Sequence, residues 1–330
     1  MKVAILNYTG AVSSSIIGPY DILTKIDITK QIFGVLNNKV DFEVDIVDSL
    51  NIDKYSPGFV RGSKTIRNKR KYDLIIIPAM NFELVEKVLK DEKKMIEWIR
   101  HQFNTGSEVA SICMGTFLLA AAGILDGRRA TTHWMGVPLF RKLYPNVKLE
   151  DDKVIIDEGR IYSCGAAFSF TSLMIYLIEK FCGRELALAA SKVMMIQVHD
   201  SGQNSFAIFD LQRSHADKGI REVQEFIEQH YCDELYIKKL ANKFNISNRT
   251  LIRRFIEATG NTPLEYIQRV RVEAAKRLLE NGKVGIEQVC VKSGYEDFNF
   301  FREIFRRHTG LSPQAYKRRY ANMFNESVLS

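Results

Sequence analysis

Apolar residues follow two different rhythms along the chain, and the change near residue 205 divides it. In the first part, residues 2–7, 40–47 and 73–78 are short runs rich in β-branched residues, which predict strands. The run Leu74-Ile-Ile-Ile77 is apolar throughout, as a central strand covered on both faces requires. Between the strands, Leu84, Val85, Val88, Met95, Trp98 and Ile99 recur at helical spacing and predict helix over 82–102. Strands alternating with helices make an α/β domain, a mostly parallel sheet sandwiched by helices. After residue 217 no strand pattern recurs, so the second part is all-α.

Residues 201–218 keep neither rhythm: Ser, Gly, Gln and Asn crowd 201–205, and Ser214-His-Ala-Asp217 follows. This sets an N-terminal domain at 1–205, a linker at 206–217, a second domain at 218–320 and a tail at 321–330. Ile220, Val223, Phe226 and Ile227 predict the second domain's first amphipathic helix. Ile237, Leu240, Ala241 and Phe244, then Asn245-Ile-Ser247, then Leu251 and Phe255 read as helix, tight turn, helix. Ala241 lets two helices approach, Asn245 tolerates the left-handed turn, and Ser247 can cap the next helix. That helix would expose Asn248, Arg249, Arg253 and Arg254.

The pattern returns about fifty residues later, with Ile286, Val289 and Cys290, then Ser293-Gly-Tyr295, then Phe301 and Phe305. Gly294 supplies the turn and Asp297 the cap, and the exposed face carries Asn299, Arg302 and Arg306. Phe301 and Phe305, at i and i+4, are core rather than platforms for bases; Phe298 and Phe300 stay open between the two roles. Between the units, Thr262-Pro-Leu-Glu265 is a capping box with proline at the first helical position. It opens a helix to about residue 281, roughly 28 Å long at ~1.5 Å per residue. Such a rod suits two helices entering successive major-groove segments roughly 34 Å apart. Ser312-Pro313 caps a last short helix ending in Lys317-Arg-Arg319.

Charge sharpens this picture. The chain of 330 residues carries +8, but residues 1–210 balance at +2 and residues 211–330 at +6. The basic excess therefore lies on the helical part, where a polyanion is the expected partner. Residues 61–71 form the strongest basic run and read as a solvated hairpin between strands. An apolar fraction of 46% with 26% charged residues excludes a disordered or collagenous chain. Five scattered cysteines without a Cys-x-x-Cys exclude a disulfide framework or thiolate zinc site and fit a reducing compartment. Histidines 101, 133, 199, 215, 230 and 308 form no ligand-spaced pair, so no metal is expected. Neither Gly-x-Gly-x-x-Gly nor a phosphate loop occurs, so no nucleotide cofactor is expected either. Asn7 ends the first apolar run too early for a signal-peptide core. The uncharged stretches 109–125 and 161–178 carry Ser, Thr and Gly inside and read as buried strands turning into helices. A soluble, cytoplasmic protein is expected.

The chemically suggestive segment is Glu108-Val-Ala-Ser-Ile-Cys113-Met-Gly115. A strand ends at Cys113 and a helix begins at once, with Gly115 allowing a tight turn, the geometry that exposes a nucleophile above a sheet. Helix-start amides would favour a thiolate at Cys113; a small buried cysteine at a turn is the bland alternative. Asp73-Leu-Ile-Ile-Ile-Pro78, Ser111-Ile-Cys-Met-Gly115, Ala130-Thr-Thr-His-Trp134 and Gly18-Pro-Tyr-Asp21 resemble the ThiJ/PfpI branch of the class I glutamine-amidotransferase-like superfamily. The resemblance spans about residues 1–200 and implies a flavodoxin-like sandwich. His133, twenty residues after Cys113, falls where that branch has its histidine. Peptidase-like members have histidine directly after the cysteine, where this chain has Met114. Many place a carboxylate four residues before the first helix's proline, where this chain has Ser15. The Gly-Gly after the strand-ending proline is Ala79-Met80. A cysteine enzyme needs a base and oxyanion donors, so the resemblance implies a pocket kept for binding, around Ser15, Gly18, Cys113, Met114 and His133.

Residues 217–320 resemble the AraC/XylS family of transcription regulators. The match lies in Ser247-Asn-Arg-Thr-Leu-Ile-Arg-Arg-Phe255, Gly260-Asn-Thr-Pro-Leu-Glu-Tyr266, Gly294-Tyr-Glu-Asp297 and Gly310-Leu-Ser-Pro-Gln-Ala-Tyr316. It implies base reading by Arg249, Ile252 and Arg253 in the first unit and by Asn299 and Glu303 in the second. Many members have arginine at the position of Glu303, and a carboxylate there can accept from cytosine while repelling phosphate. The two parts together resemble the GlxA group. This implies a regulator binding operator DNA, with a sensor domain that takes a small-molecule effector and forms a homodimer. The second reading is a cysteine hydrolase, an amidotransferase-like enzyme or a thiol redox sensor tethered to DNA.

Overall fold

A computed structural model describes residues 1–33, 40–50, 60–197, 202–207, 209, 211–213 and 215–321. His199, Ser201, Ser214 and the tail from 322 onward lie outside the described residues. The chain divides into two units, Met1–Gln203 and Asn204–Ser330.

Strands of the first unit are β1 (Lys2–Asn7), β2 (Glu43–Asp48), β3 (Lys64–Thr65), β4 (Leu74–Ile77), β5 (Glu108–Ile112), β6 (Arg129–Ala130), β7 (Lys148–Leu149), β8 (Ile155–Asp157) and β9 (Ile161–Cys164). Its helices are α1 (Ser14–Thr24), α2 (Ile26–Phe33), α3 (Val85–Asp91), α4 (Lys93–Asn104), α5 (Thr116–Ala121), α6 (Val137–Leu143), α7 (Phe170–Cys182) and α8 (Arg184–Val193). Among the described residues, seven strands form one sheet in the order β3-β2-β1-β4-β5-β9-β8, parallel except for the β8 edge. The central run β2-β1-β4-β5-β9 is the doubly wound flavodoxin-like order, in which sites form beyond the carboxyl ends of the strands. Leu74, Ile75, Ile76 and Ile77 of β4 are all fully buried, as their unbroken apolar run requires.

Three local expectations change. The strand expected at 40–47 begins only at Glu43, because Val40 and Asp41 turn to accept from the buried Lys30 ammonium at 2.8 and 2.7 Å. The helix expected over 82–102 breaks at Glu92, whose carboxylate turns inward to accept from Ser49 Oγ at 2.9 Å. The 61–71 run is no hairpin: β3 pairs parallel with β2, and Arg70 folds back onto Asp45 and Glu43.

The second unit contains α9 (Lys218–Gln229), α10 (Ile237–Lys243), α11 (Asn248–Thr259), α12 (Pro263–Glu280), α13 (Ile286–Lys292), α14 (Phe298–Thr309) and α15 (Pro313–Tyr320). The predicted caps are in place. Ser247 Oγ accepts from Thr250 N at 3.1 Å, and Asp297 Oδ1 accepts from Phe300 N at 2.8 Å. Asn245 has φ 53 and Gly294 φ 84 in the two turns. α11 and α14 both end on a left-handed glycine, Gly260 and Gly310. The capping box is half formed: Thr262 Oγ1 accepts from Glu265 N, while the Glu265 carboxylate pairs with Arg269 one turn on. Replacing Ser247 or Asp297 by alanine should cost about 1 kcal/mol each, read as a lower denaturation midpoint at unchanged slope.

α12 serves two separate cores. Tyr266, Ile267 and Val270 pack with Leu240, Leu251 and Phe255, whereas Val272, Ala275 and Leu279 pack with Val289, Phe301 and Phe305. Each helix-turn-helix unit thus buries its own apolar face against one side of the rod.

Candidate functional site

The first exposed face lies on α11. Buried Leu251 and Phe255 fix which side of this helix faces inward. Asn248, Arg249 and Arg253 therefore stand in solvent at its N-terminal half, with Ile252 half-buried between them. Arg253 donates to both Glu257 carboxylate oxygens, at 2.8 and 2.9 Å, in an exposed pair one turn apart. Arg254 does not belong to this face. It forks onto Asp217, with Nε to Oδ2 at 2.9 Å, and holds that carboxyl below the usual range. Asp217 also caps α9 by accepting from Ile220 N. Arg254 is therefore a brace between α11 and α9. Its replacement by alanine should lower stability on the order of 1 kcal/mol while leaving DNA affinity within twofold, checked by melting and fluorescence anisotropy in parallel.

The second face lies on α14, with Phe301, Ile304 and Phe305 buried beneath it. Asn299, Arg302, Glu303 and Arg306 are all exposed and line one cleft of about 550 Å³ together with Arg307 and Ser312. The last two were missed from sequence, although the four-residue spacing of Glu303 and Arg307 was a usable signal; they pair at 2.8 Å. Glu303 is thus not a bare carboxylate, and part of its repulsion toward phosphate is offset. Arg302 lies over the Phe298 ring at 5.9 Å, and Phe300 meets Tyr295 edge-on. Phe298 and Phe300 remain 36% and 47% exposed, partly packed at the rim.

At the carboxyl end of β5, Cys113 has φ 57, a left-handed residue in a strand-to-helix turn. Here the expectation for Gly115 changes: the strained backbone belongs to Cys113 itself. Gly115 is needed because a Cβ there would lie 2.4 Å from Pro78 O, so glycine lets the turn press against the end of β4. Burial pushes the Cys113 thiol up to about 12, outweighing the Met114 and Ala167 amides, which pull it down. Burial thus opposes the thiolate expected from the helix start. Cys164 pairs with the elbow strand and donates from Sγ to Ala166 O at 3.9 Å; its thiol is raised by burial as well.

The other expected pocket residues have occupations of their own. Among the described residues no hydrogen bond joins His133 to Cys113. His133 Nδ1 accepts from Met135 N at 3.2 Å, and burial lowers its pKa, which favours the neutral ring. Ser15 Oγ is buried, donating to Val12 O and accepting from Ala79 N at 3.0 Å. That bond occupies the amide of the first residue after the strand-ending Pro78. Gly18 lets α1 meet α7, since a Cβ there would lie 2.3 Å from the Phe170 ring. Met114 is buried with its sulfur against Gly136.

All five cysteines are free thiols. The described residues hold no cluster of three metal-ligating side chains and no helix long and apolar enough to cross a membrane.

A doubly wound sandwich with a buried cysteine elbow, joined to a duplicated helix-turn-helix, defines a DNA-binding transcription regulator. Comparison with known proteins agrees. The DJ-1/PfpI family profile matches residues 1–177, and a helix-turn-helix domain profile matches 240–319. The chain therefore belongs to the DJ-1/PfpI family, in the GlxA-type arrangement with an AraC-type helix-turn-helix. It is 27% identical over 245 residues to the HTH-type transcriptional regulator CdhR of Pseudomonas aeruginosa, covering 74% of this chain and 71% of that one. It is 26% identical over 225 residues to the HTH-type transcriptional regulator GlxA of Rhizobium meliloti, covering 67% and 68%. Alignments to this group of regulators cover 60–71% of the relatives' own length. Among solved structures, a candidate transcriptional regulator from Vibrio parahaemolyticus superposes with a TM-score of 0.51 at 22% identity. That superposition covers 59% of this chain and 98% of the other, and it speaks to the fold alone.

Proposed function

We propose that this chain reads specific operator sequences through α11 and α14. Arg249, Ile252 and Arg253 contact bases from the first unit, and Asn299 and Glu303 from the second. Asn248, Arg302 and Arg306 hold phosphates beside them. The observation that carries this is the repeat itself: two helices, each capped in the same way and anchored by its own buried pair, presenting polar faces from one rod. Binding by the full chain to a random duplex library, followed by sequencing of the retained DNA, tests it. Recovery of one enriched motif with two half-elements supports the reading. Retention of no duplex even at low ionic strength would end it.

The N-terminal domain senses a small molecule at the Cys113 elbow, forms a homodimer and works in the cytoplasm without catalysis. In support, burial raises the Cys113 thiol, His133 is not engaged with it, and the Ala79 amide is already bonded. Thermal shifts of the full chain across a broad metabolite panel test this, and a flat response throughout would count against it. The second reading, a cysteine hydrolase or thiol redox sensor, has the left-handed Cys113 and the two amides on Sγ in its favour.

A further inference from the structure

The two helix-turn-helix units have separate cores, yet the distance and phase between their DNA faces must be fixed for both to engage one duplex side. A shared helix alone leaves each unit free to rock on it. The structure contains a second fastening. Arg271, near the middle of α12, donates from Nε to Tyr231 O at 2.8 Å and from a terminal nitrogen to Asp233 O at 2.9 Å. Both carbonyls belong to the loop between α9 and α10, in the first helix-turn-helix unit. The same guanidinium lies over the Tyr295 ring at 5.2 Å, and Tyr295 is buried in the core of the second unit. No carboxylate pairs with Arg271 among the described residues, so its bonding is spent on this bridge.

Two neighbours close the same seam. Cys232 Sγ donates to Lys292 O at 3.1 Å, from the first unit's loop to the end of α13. Gly294, in the turn of the second unit, brings its backbone so near that a Cβ would lie 2.6 Å from Tyr231 O. Backbone of one unit thus touches backbone of the other, with a planar cation locked across the contact. Arginine suits the task because its fork satisfies two carbonyls while its flat face covers a ring, which a lysine ammonium cannot do together.

We propose that Arg271 is a positioning residue that sets the spacing at which α11 and α14 read DNA. It touches no base. Its loss would let the units move apart, so that the protein would accept half-elements at spacings the native chain rejects. This rests on the DNA-binding reading above, and the test separates the two.

The probe is the duplex enriched from a random library by the native full-length chain, together with copies in which the half-elements are moved by one to five base pairs. The native chain should lose affinity steeply with each displacement. Arg271→Ala should bind the native spacing about tenfold more weakly yet lose little more on displacement, a flattened profile, and Arg271→Lys should recover only part of the slope. Gly294→Ala, whose Cβ would press on Tyr231 O and on Arg271 Nε and strain the left-handed turn, should flatten the profile too, and Arg271→Gln serves if Arg271→Ala does not fold. A profile for either folded variant that runs parallel to the native one would overturn the proposal while leaving DNA binding intact. If the native chain enriches no duplex, it is the DNA-binding reading that fails.

Discussion

In the folded protein, iodoacetamide at pH 7 should label Cys113 at least about thirtyfold more slowly than Cys232, as read by peptide mass mapping over time. Burial moves the Cys113 thiol from its usual 9.0 to about 12, which cuts the thiolate fraction at neutral pH about a thousandfold. A more basic thiolate is a better nucleophile, and with a Brønsted slope of about 0.4–0.5 this returns roughly one and a half decades. The side chain is also only 6% exposed, which adds a steric barrier, whereas Cys232 is exposed. The sign on stability follows. A thiol held protonated by the fold contributes stability that is fully present below pH 9 and is lost as pH rises toward 12. Labelling of Cys113 should therefore accelerate steeply between pH 9 and 11. Equal labelling of the two cysteines at pH 7 would show a reactive thiol and bring the enzyme or redox reading forward.

Arg253→Ala should weaken binding to the enriched duplex by about 1–3 kcal/mol, roughly five- to 150-fold, and relax preference at one base position. Binding to random duplex should change far less. Before it can fork onto a base edge, Arg253 must leave Glu257, but that pair is exposed and costs about 0–1 kcal/mol to break. Arg306→Ala is the contrasting variant: it should weaken all sequences alike and reduce the salt slope by about one. If Arg253→Ala loses as much on random as on selected DNA, it is a phosphate contact and the reading face must be redrawn.

The DNA-binding half was nearly all legible in the chain. Caps, turns and buried pairs act within one or two helical turns, so Ser247, Asn245, Asp297, Gly294, Phe301 and Phe305 announce themselves by spacing. What stayed hidden acts across the fold. Arg254 and Arg253 are neighbours in sequence, and only Asp217, on another element, decides that one is a brace while the other stays on the exposed face. The same holds in the first domain. Cys113 was visible as a strand end, but its protonation depends on elements packed over it, and local helix-start amides argued the opposite. Gly115 was noticed for its flexibility, while its use comes from Pro78 on the neighbouring strand. The breaks at Glu92 and Asp41 likewise follow from partners far away in sequence, Ser49 and Lys30.

The rod α12 gives Val270 to one core and Val272 to the other. An α-helix turns about 100° per residue, so one residue added or removed between these two valines would swing half the reading head by more than a quarter turn around the axis. Arg271, between them, braces the two units from the side, but the angle built into the helix itself is set by the residue count alone. Its length is therefore under far tighter constraint than its composition.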